Sequence, residues 1–130
     1  MSLATVDASG PWVCDVLYVH DNAFSLYWIS DVSVRHSVAI ASNSSVAASI
    51  SLVSSPNDRE VGMQIMGKAE KVEGDTMDLA TKLRRKRGLP PPRDESDVRN
   101  TGESWYMLTP SKIDVIHFPL FGWEKKELVL

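Results

Sequence analysis

The sequence predicts a mainly β domain, arranged as a small six-stranded antiparallel barrel with two helices. Short segments rich in Val, Ile and aromatic residues recur with turn residues between them, which is typical of antiparallel strands. Strands do not alternate with helices along the chain, so a parallel sheet is disfavoured. Because closing a sheet removes its exposed edges, a barrel is favoured over an open sheet. The 130 residues, of which 43% are hydrophobic, suit a single domain over residues 1–130.

The first predicted strands are joined by tight turns. Residues 3–6 form a brief apolar run, and the turn-forming sequence Asp-Ala-Ser-Gly-Pro follows at 7–11. Residues 12–19 mostly alternate between apolar and polar positions, and residues 24–29 are again apolar after a turn at 20–22. The two longer segments are therefore predicted to form a hairpin.

Two amphipathic segments are predicted to be helices. The first follows Ser30, which together with Asp31 and Ser33 is a candidate N-cap, and it ends near residues 42–43. The second spans roughly residues 76–87 and is stopped by a glycine and three prolines. The positions predicted to face inward are Val34, Val38, Ile40 and Ala41 in the first helix, and Leu79, Ala80 and Leu83 in the second.

Strands are predicted again in the second half of the chain. Residues 46–53, which are dense in small and β-branched residues, and residues 61–72 are strand candidates. The glycines at 62 and 67 indicate a bulge or a close approach of another backbone. Residues 105–108 and 112–118 are predicted as two strands separated by Thr-Pro-Ser. The remaining predicted features are a polar turn at 54–59, a mobile loop at 88–103 and a final edge strand at 127–130.

Charge and hydropathy exclude two classes of partner. The net charge is −3, so a basic field for nucleic acid is absent, and the basic run at 82–87 is interpreted as solvated cations at a helix end. No stretch approaches the ~18 apolar residues of a membrane-spanning helix. The chain is therefore expected to bind neither nucleic acid nor a membrane.

The cysteine and histidine content bears on location and metal binding. A single cysteine, Cys14, excludes an intramolecular disulfide and is expected to be an inert buried thiol. The opening residues lack the pattern of a signal peptide, so a reducing, cytoplasmic setting is expected. His20, His36 and His117 have no ligand partners at metal-site spacing, so no metal site is expected.

The segment at 25–37 predicts an anion site. A strand ends at Ser30 and a helix begins soon afterwards, so Arg35 and His36 fall in its first turn. Free N–H groups at a helix start favour an anion, and an arginine can hold phosphate through two bonds. Cations in a first helical turn are unfavourable unless an anion is present. The alternative interpretation is that both side chains are solvated surface residues.

Several stretches, taken in order, resemble the FMN-binding split-barrel family related to pyridoxamine 5′-phosphate oxidase. The family's opening hairpin is similar to LATVDASGPWVCDVLYVHD. Its next strand, phosphate-binding helix and following strand are similar to SLYWISDVSVRHSVAIASNSSVAASI. Its long fifth strand is similar to MQIMGKAEKV, and its late hairpin to WYMLTPSKIDVIHF. No single stretch is specific, but their order and spacing cover nearly the whole chain.

The resemblance implies a homodimer with two FMN sites at the subunit interface. Arg35 and His36 would bind the FMN phosphate, with the Ser30 hydroxyl nearby, although the oxidase itself has lysine where His36 stands. The other residues that the resemblance places beside the flavin are Trp28 and Ile29, Val16 and Leu17, Gln64, and Trp123 from the partner.

The expected function is that of an FMN-dependent oxidoreductase other than the true oxidase. The chain ends at Leu130 without the basic segment that holds pyridoxal phosphate in the oxidase. One alternative keeps the fold but binds F420 or haem. F420 also carries phosphate on a ribityl chain, so Arg35 and His36 do not discriminate it from FMN. A further alternative is a non-catalytic, ligand-binding dimeric module.

The four tryptophans are many for a domain of this size. A dimer provides an extended apolar interface, and such interfaces favour aromatic residues. We therefore expect Trp28 and Trp123 near the flavin or the interface, and Trp12 and Trp105 over the ends of the barrel.

Overall fold

The computed structural model describes residues 1–52 and 60–130, which form an eight-stranded antiparallel sheet with three short α-helices. The strands are β1 (Ser2–Asp7), β2 (Gly10–Asp15), β3 (Val19–His20), β4 (Leu26–Asp31), β5 (Ser45–Leu52), β6 (Val61–Lys71), β7 (Glu103–His117) and β8 (Lys126–Glu127). The helices are α1 (Arg35–Ser42), α2 (Met77–Lys86) and α3 (Phe118–Phe121), and a 3₁₀ helix covers Glu95–Asp97. The predicted turn at 54–59 and position 53 of the predicted strand at 46–53 lie outside the described residues.

The sheet follows the order β2-β1-β5-β6-β7-β4-β3, with β8 paired to β7. Its two end strands, β2 and β3, are neighbours along the chain, and no ladder joins them within the described ranges. The prediction of a mainly β, antiparallel domain is confirmed. The barrel is not closed by a continuous ladder, so β2 and β3 remain edges.

The predicted hairpin between residues 12–19 and 24–29 is wrong in its first strand. β2 ends at Asp15 and pairs along its whole length with β1, from Ser2↔Asp15 to Asp7↔Gly10. Only β3, at the end of the predicted strand, pairs with β4. Alternation shows that a segment is extended but does not identify its partner, and the tight turn after Asp7 makes β1 the nearer one.

β7 is one strand of 15 residues, not the two predicted strands. Its pairing with β6 shifts between Met66 and Gly67, and Pro110 lies opposite Gly67, so the Thr-Pro-Ser sequence is a β-bulge. A Cβ on Gly67 would collide with the Thr109 carbonyl oxygen. The close backbone approach predicted at this glycine is confirmed. A proline at a bulge leaves the strand intact, which is why the predicted break is absent.

Two apolar clusters lie on opposite faces of β4. Trp28 is 0% exposed in the first cluster and stacks on Tyr106 with 5.8 Å between ring centroids. The second cluster lies under α2 and contains Trp105, also fully buried, with Ala80 and Leu83. Trp105 is therefore a core residue, contrary to its predicted place over an end of the barrel. Two tryptophans fit inside this small domain because β4 and its neighbours are covered on both faces.

The first helix buries a different face from the one predicted. Ser37, Ala39 and Ile40 are buried, whereas Val34 is exposed and Val38 is 56% exposed. The exposure of Val34, Val38 and Ala41 contradicts their predicted inward orientation, and only Ile40 is confirmed. Spacing alone defines an apolar stripe without saying whether the domain or another surface covers it.

The second helix matches its prediction closely. Ala80 and Leu83 are buried, and Leu79 packs against them. Three basic residues fill its last turn, where they face the negative end of the helix dipole. Within the segment at 88–103 the structure places the 3₁₀ helix, whose N-cap Asp94 accepts a hydrogen bond from the Ser96 amide. The mobility of this segment stays a prediction.

One face of the sheet presents small and apolar side chains to solvent. Ala4 on β1 lies opposite Val13 on β2 and Ala47 on β5, and Ala47 lies opposite Met66 on β6. Val13, Ala47 and Met66 are exposed. We call Ala4, Val13, Ala47 and Met66 the outer sheet face. The solvent-exposed face of an antiparallel sheet usually carries polar residues. The outer sheet face is apolar instead, so it is suited to contact with another surface.

The structure bears on two expectations from the sequence, an inert Cys14 thiol and the lack of a membrane-spanning helix. Cys14 is half-buried against the first cluster, and burial raises the pKa of its thiol, which disfavours the reactive thiolate. In the described part of the chain, no helix is long and apolar enough to cross a bilayer.

Candidate functional site

The junction of β4 and α1 brings two predicted phosphate ligands into contact. Ser30 is the penultimate residue of β4, and His36 is the second residue of α1. The Ser30 hydroxyl oxygen lies 2.6 Å from His36 Nε2, and both side chains are half-buried. Burial lowers the pKa of His36, which favours the neutral imidazole. In the tautomer with the proton on Nε2, His36 donates to the Ser30 oxygen, and the Ser30 hydroxyl is then free to donate to a ligand.

Arg35 begins α1 and is already held by a carboxylate. Its Nε donates to Asp7 Oδ2 at 2.7 Å, and its Nη2 donates to Asp7 Oδ1 at 3.1 Å. The guanidinium carbon lies 4.5 Å from the centroid of the Trp12 ring. The bonds from Arg35 and from the Ser9 amide hold the pKa of the Asp7 carboxyl below its usual range. Arg35 therefore has a fixed position, with Nη1 outside the Asp7 pair.

The start of α1 lacks a side-chain cap. None of the predicted N-caps Ser30, Asp31 and Ser33 takes that role; the N-cap is Val34, which has no side-chain acceptor. Asp31 Oδ1 instead accepts bonds from the amide and hydroxyl of Ser33, at 2.7 and 2.6 Å. These bonds form a turn before the helix, so α1 starts later than predicted. No acidic residue lies in its first turn, which leaves the amides there to an external acceptor.

The four apolar residues predicted beside the flavin lie in two neighbourhoods. Trp28 points into the first cluster and is inaccessible, while Ile29 on the other face of β4 packs against the second cluster. Val16 is half-buried against the first cluster, and Leu17 beside it is exposed. Leu17 and the exposed parts of Ile29 and Val16 can contact a ligand. Trp28 cannot, because it is fully buried, and it contributes only to the packing of β4.

Gln64 and Trp123 lie apart from the β4–α1 junction. Gln64 is exposed on β6, and its Oε1 accepts a bond of 2.7 Å from Lys125 Nζ. Trp123 is 80% exposed and packs edge-on against Phe118, with 4.7 Å between centroids. Within one protomer these two residues therefore do not join Arg35.

Two residues at the junction were missed by the sequence analysis. Asp7 was assigned only to a turn, and Trp12, 43% exposed, was placed over an end of the barrel. Both come to Arg35 because the β1–β2 turn folds against the start of α1. Their positions, more than 20 residues from Arg35 in sequence, gave no local signal.

These groups together can bind an oxyanion. The donors are the remaining N–H groups of Arg35, the Ser30–His36 pair and the uncapped amides at the start of α1. In the described ranges no three His, Cys, Asp or Glu side chains gather as metal ligands. The chemistry that these groups support is anion recognition.

Comparison with known proteins gives structural matches only. No protein-family model matches the chain, and no curated protein does. The haem storage protein HutZ from Vibrio cholerae is 18% identical, with a TM-score of 0.70 over 88% of this chain and 83% of HutZ. A candidate pyridoxamine 5′-phosphate oxidase from Listeria innocua is 17% identical, with a TM-score of 0.67 over 88% of this chain and 86% of that one. An F420 reductase is 23% identical, with a TM-score of 0.62 over 86% of each chain.

The chain therefore has the split-barrel fold of pyridoxamine 5′-phosphate oxidase-like proteins, as the resemblance predicted.

Proposed function

We propose that this protein is an FMN-binding oxidoreductase whose cofactor phosphate binds at the start of α1. The observation that carries the proposal is the uncapped start of α1, which has Arg35 and His36 in its first turn and Ser30 in contact with His36. Neutral and cationic donors at such a place suit a phosphate monoester. The structural neighbours support a redox cofactor that carries phosphate, because they include proteins described as a candidate pyridoxamine 5′-phosphate oxidase and an F420 reductase.

The residues of this chain would bind and orient the cofactor. Arg35, His36 and Ser30 would hold the phosphate, and Val16, Leu17 and the exposed part of Ile29 would contact the rest of the cofactor. Trp28 supports β4 from the core. When bound, the flavin supplies the electron-transfer chemistry itself, so no general acid or base is needed from the protein.

The proposed active unit is a homodimer formed through the outer sheet face. Ala4 and Ala47 have short side chains that allow two sheets to approach closely, and Val13 and Met66 beside them are exposed apolar groups. Gln64 lies on the same strand as Met66 and two residues away, so it would reach the interface. Exposed Trp123 would then contact the flavin of the partner.

Cofactor titration of the purified protein tests this proposal. We expect FMN to bind with a perturbed flavin absorption spectrum and a stoichiometry of one per protomer. The same titration with F420 and with haem compares the alternatives. Absence of saturable FMN binding would refute the proposal, and tighter binding of F420 would replace the cofactor while keeping the site.

Haem is the second candidate ligand because HutZ shares the fold. His36 and His117 are half-buried and His20 is exposed, so His20 is the candidate iron ligand. Haem binding that survives His20→Gln would exclude that ligand assignment.

Bound flavin with no turnover of reduced nicotinamides would instead favour a non-catalytic module. A cytoplasmic location belongs to the same proposal.

A further inference from the structure

A second basic site lies between β3 and α2, away from Arg35. The groove there has a volume of about 420 Å³. Its lining residues are Val19, His20, Asn22, Lys82, Arg85 and Lys86. The lining thus contains three cationic side chains and no carboxylate. The basic run at 82–87, which the sequence explains as solvated charge, supplies all three cations.

Two of the cations are held in place by backbone carbonyls of the neighbouring strand segment. Lys82 Nζ donates to the His20 carbonyl at 3.2 Å, and Lys86 Nζ donates to the Tyr18 carbonyl at 2.7 Å. Lys86 Nζ also lies 3.9 Å from the centroid of the Tyr18 ring. A carbonyl orients an ammonium group without neutralising it, so both charges remain available at the groove.

Among the described residues, no carboxylate lines the groove or forms an ion pair with its three cations. Asp21 lies between two lining residues in sequence, but its carboxylate accepts bonds from the Ala23 and Ser25 amides and from the Tyr27 hydroxyl. Arg85 makes no side-chain hydrogen bond or ion pair with the described residues, and the ion pairs there involve neither Lys82 nor Lys86. Burial lowers the pKa of Lys86, as expected for a cation without an anionic partner.

The geometry points to a small-molecule anion site in this groove, in which Lys82, Arg85 and Lys86 bind a phosphate or carboxylate group of a ligand other than the cofactor. Three unneutralised cations in one concave space repel one another, and an oxyanion relieves that repulsion. A groove of this size suits a small molecule. Nucleic acid is disfavoured because the net charge is −3 and the basic groups are confined to one helix end.

Titration with inorganic pyrophosphate and with citrate, followed by amide chemical shifts, tests the inference and distinguishes phosphate from carboxylate. Saturable shifts at Val19, His20 and Asn22 are expected. Arg85→Glu should weaken binding by about tenfold or more. Arg87→Glu is the matched control, because it makes the same charge change at the same helix end outside the groove lining. Arg85→Gln provides a second variant if the glutamate prevents folding.

The outcomes separate this site from the proposed cofactor site. Arg35→Ala should leave the pyrophosphate shifts at the groove unchanged, even where it abolishes FMN binding. Equal weakening by Arg85→Glu and Arg87→Glu, or shifts confined to α1, would overturn the inference. Tighter binding of a short single-stranded oligonucleotide, lost in Arg85→Glu, would overturn it in favour of a nucleic-acid surface.

Discussion

Arg35 and Asp7 form a two-bond ion pair that joins the start of α1 to the end of β1. Arg35 Nε lies 2.7 Å from Asp7 Oδ2, and Nη2 lies 3.1 Å from Oδ1. The pair is partly exposed, and Trp12 stacks against the guanidinium. A ligand phosphate at this helix start would therefore share its main cation with a carboxylate of the protein. This relationship determines what to expect from substitutions at either residue.

Arg35→Ala should weaken FMN binding by about 10- to 100-fold, because a charge-assisted hydrogen-bond donor to the phosphate is lost. Fluorescence quenching of FMN on titration measures the affinity. Arg99→Ala is the control, since Arg99 pairs with Glu95 and not with a residue of the proposed phosphate site. Unchanged affinity in the Arg35 variant would contradict the proposed phosphate site.

Asp7→Asn should strengthen FMN binding by roughly fivefold, because a negative charge near the phosphate is removed while the side chain keeps its size. The gain should shrink at high salt, which screens exposed charges. The same titration in low and high salt measures both effects. If affinity falls instead, Asp7 acts mainly by positioning Arg35.

His36 should make the fold less stable in mild acid. Burial places its pKa below the ordinary value of 6.5 that applies to the unfolded chain. The unfolded chain then binds the proton first, so the free energy of unfolding falls as the pH drops below about 6.5. Urea unfolding at several pH values measures this dependence.

The matched variants isolate the contribution of His36. His36→Gln should flatten the dependence between about pH 7.5 and 5.5, above the range in which ordinary carboxylates titrate. His20→Gln, at an exposed position, should retain it. Equal pH profiles for His36→Gln and the parent protein would exclude this source of acid sensitivity.

Gly67→Ala should destabilise the fold by more than about 2 kcal/mol, because the added Cβ collides with the Thr109 carbonyl and the paired backbones must separate. Chemical denaturation measures the loss. Lys68→Ala, at the neighbouring exposed position on the other side of Gly67, should change stability far less. A small effect of Gly67→Ala would show that the bulge accommodates a side chain.

Ala47→Lys should convert the proposed dimer to a monomer, because it places a charge at the centre of the outer sheet face. Light scattering after size-exclusion chromatography measures the mass. Glu70→Lys, another exposed position on the sheet, serves as the control. If Ala47→Lys leaves the mass of a dimeric protein unchanged, the dimer forms through another surface.

The sequence predicted the helices and strands themselves more successfully than the way in which they pack and pair with one another. The second helix, with Ala80 and Leu83 facing inward, follows from spacing and from the glycine and prolines that end it. The pairing of β2 with β1 does not follow from the sequence, since the alternation of apolar and polar residues is compatible with pairing at either edge of the sheet. The inward face of α1 was wrong for the same reason, because Val38 satisfies the helical period but points to solvent.

At the candidate site, the helix start at Arg35 and His36 was visible in the sequence because it depends on residues close in the chain. Contacts between distant segments were decided only in the tertiary structure. Folding of the β1–β2 turn onto α1 brings Asp7 and Trp12 to Arg35, and docking of α2 against β3 turns a basic helix end into a groove. Local residue pattern determines which segments are strands and helices, whereas the charge around each cation depends on which segments pack together.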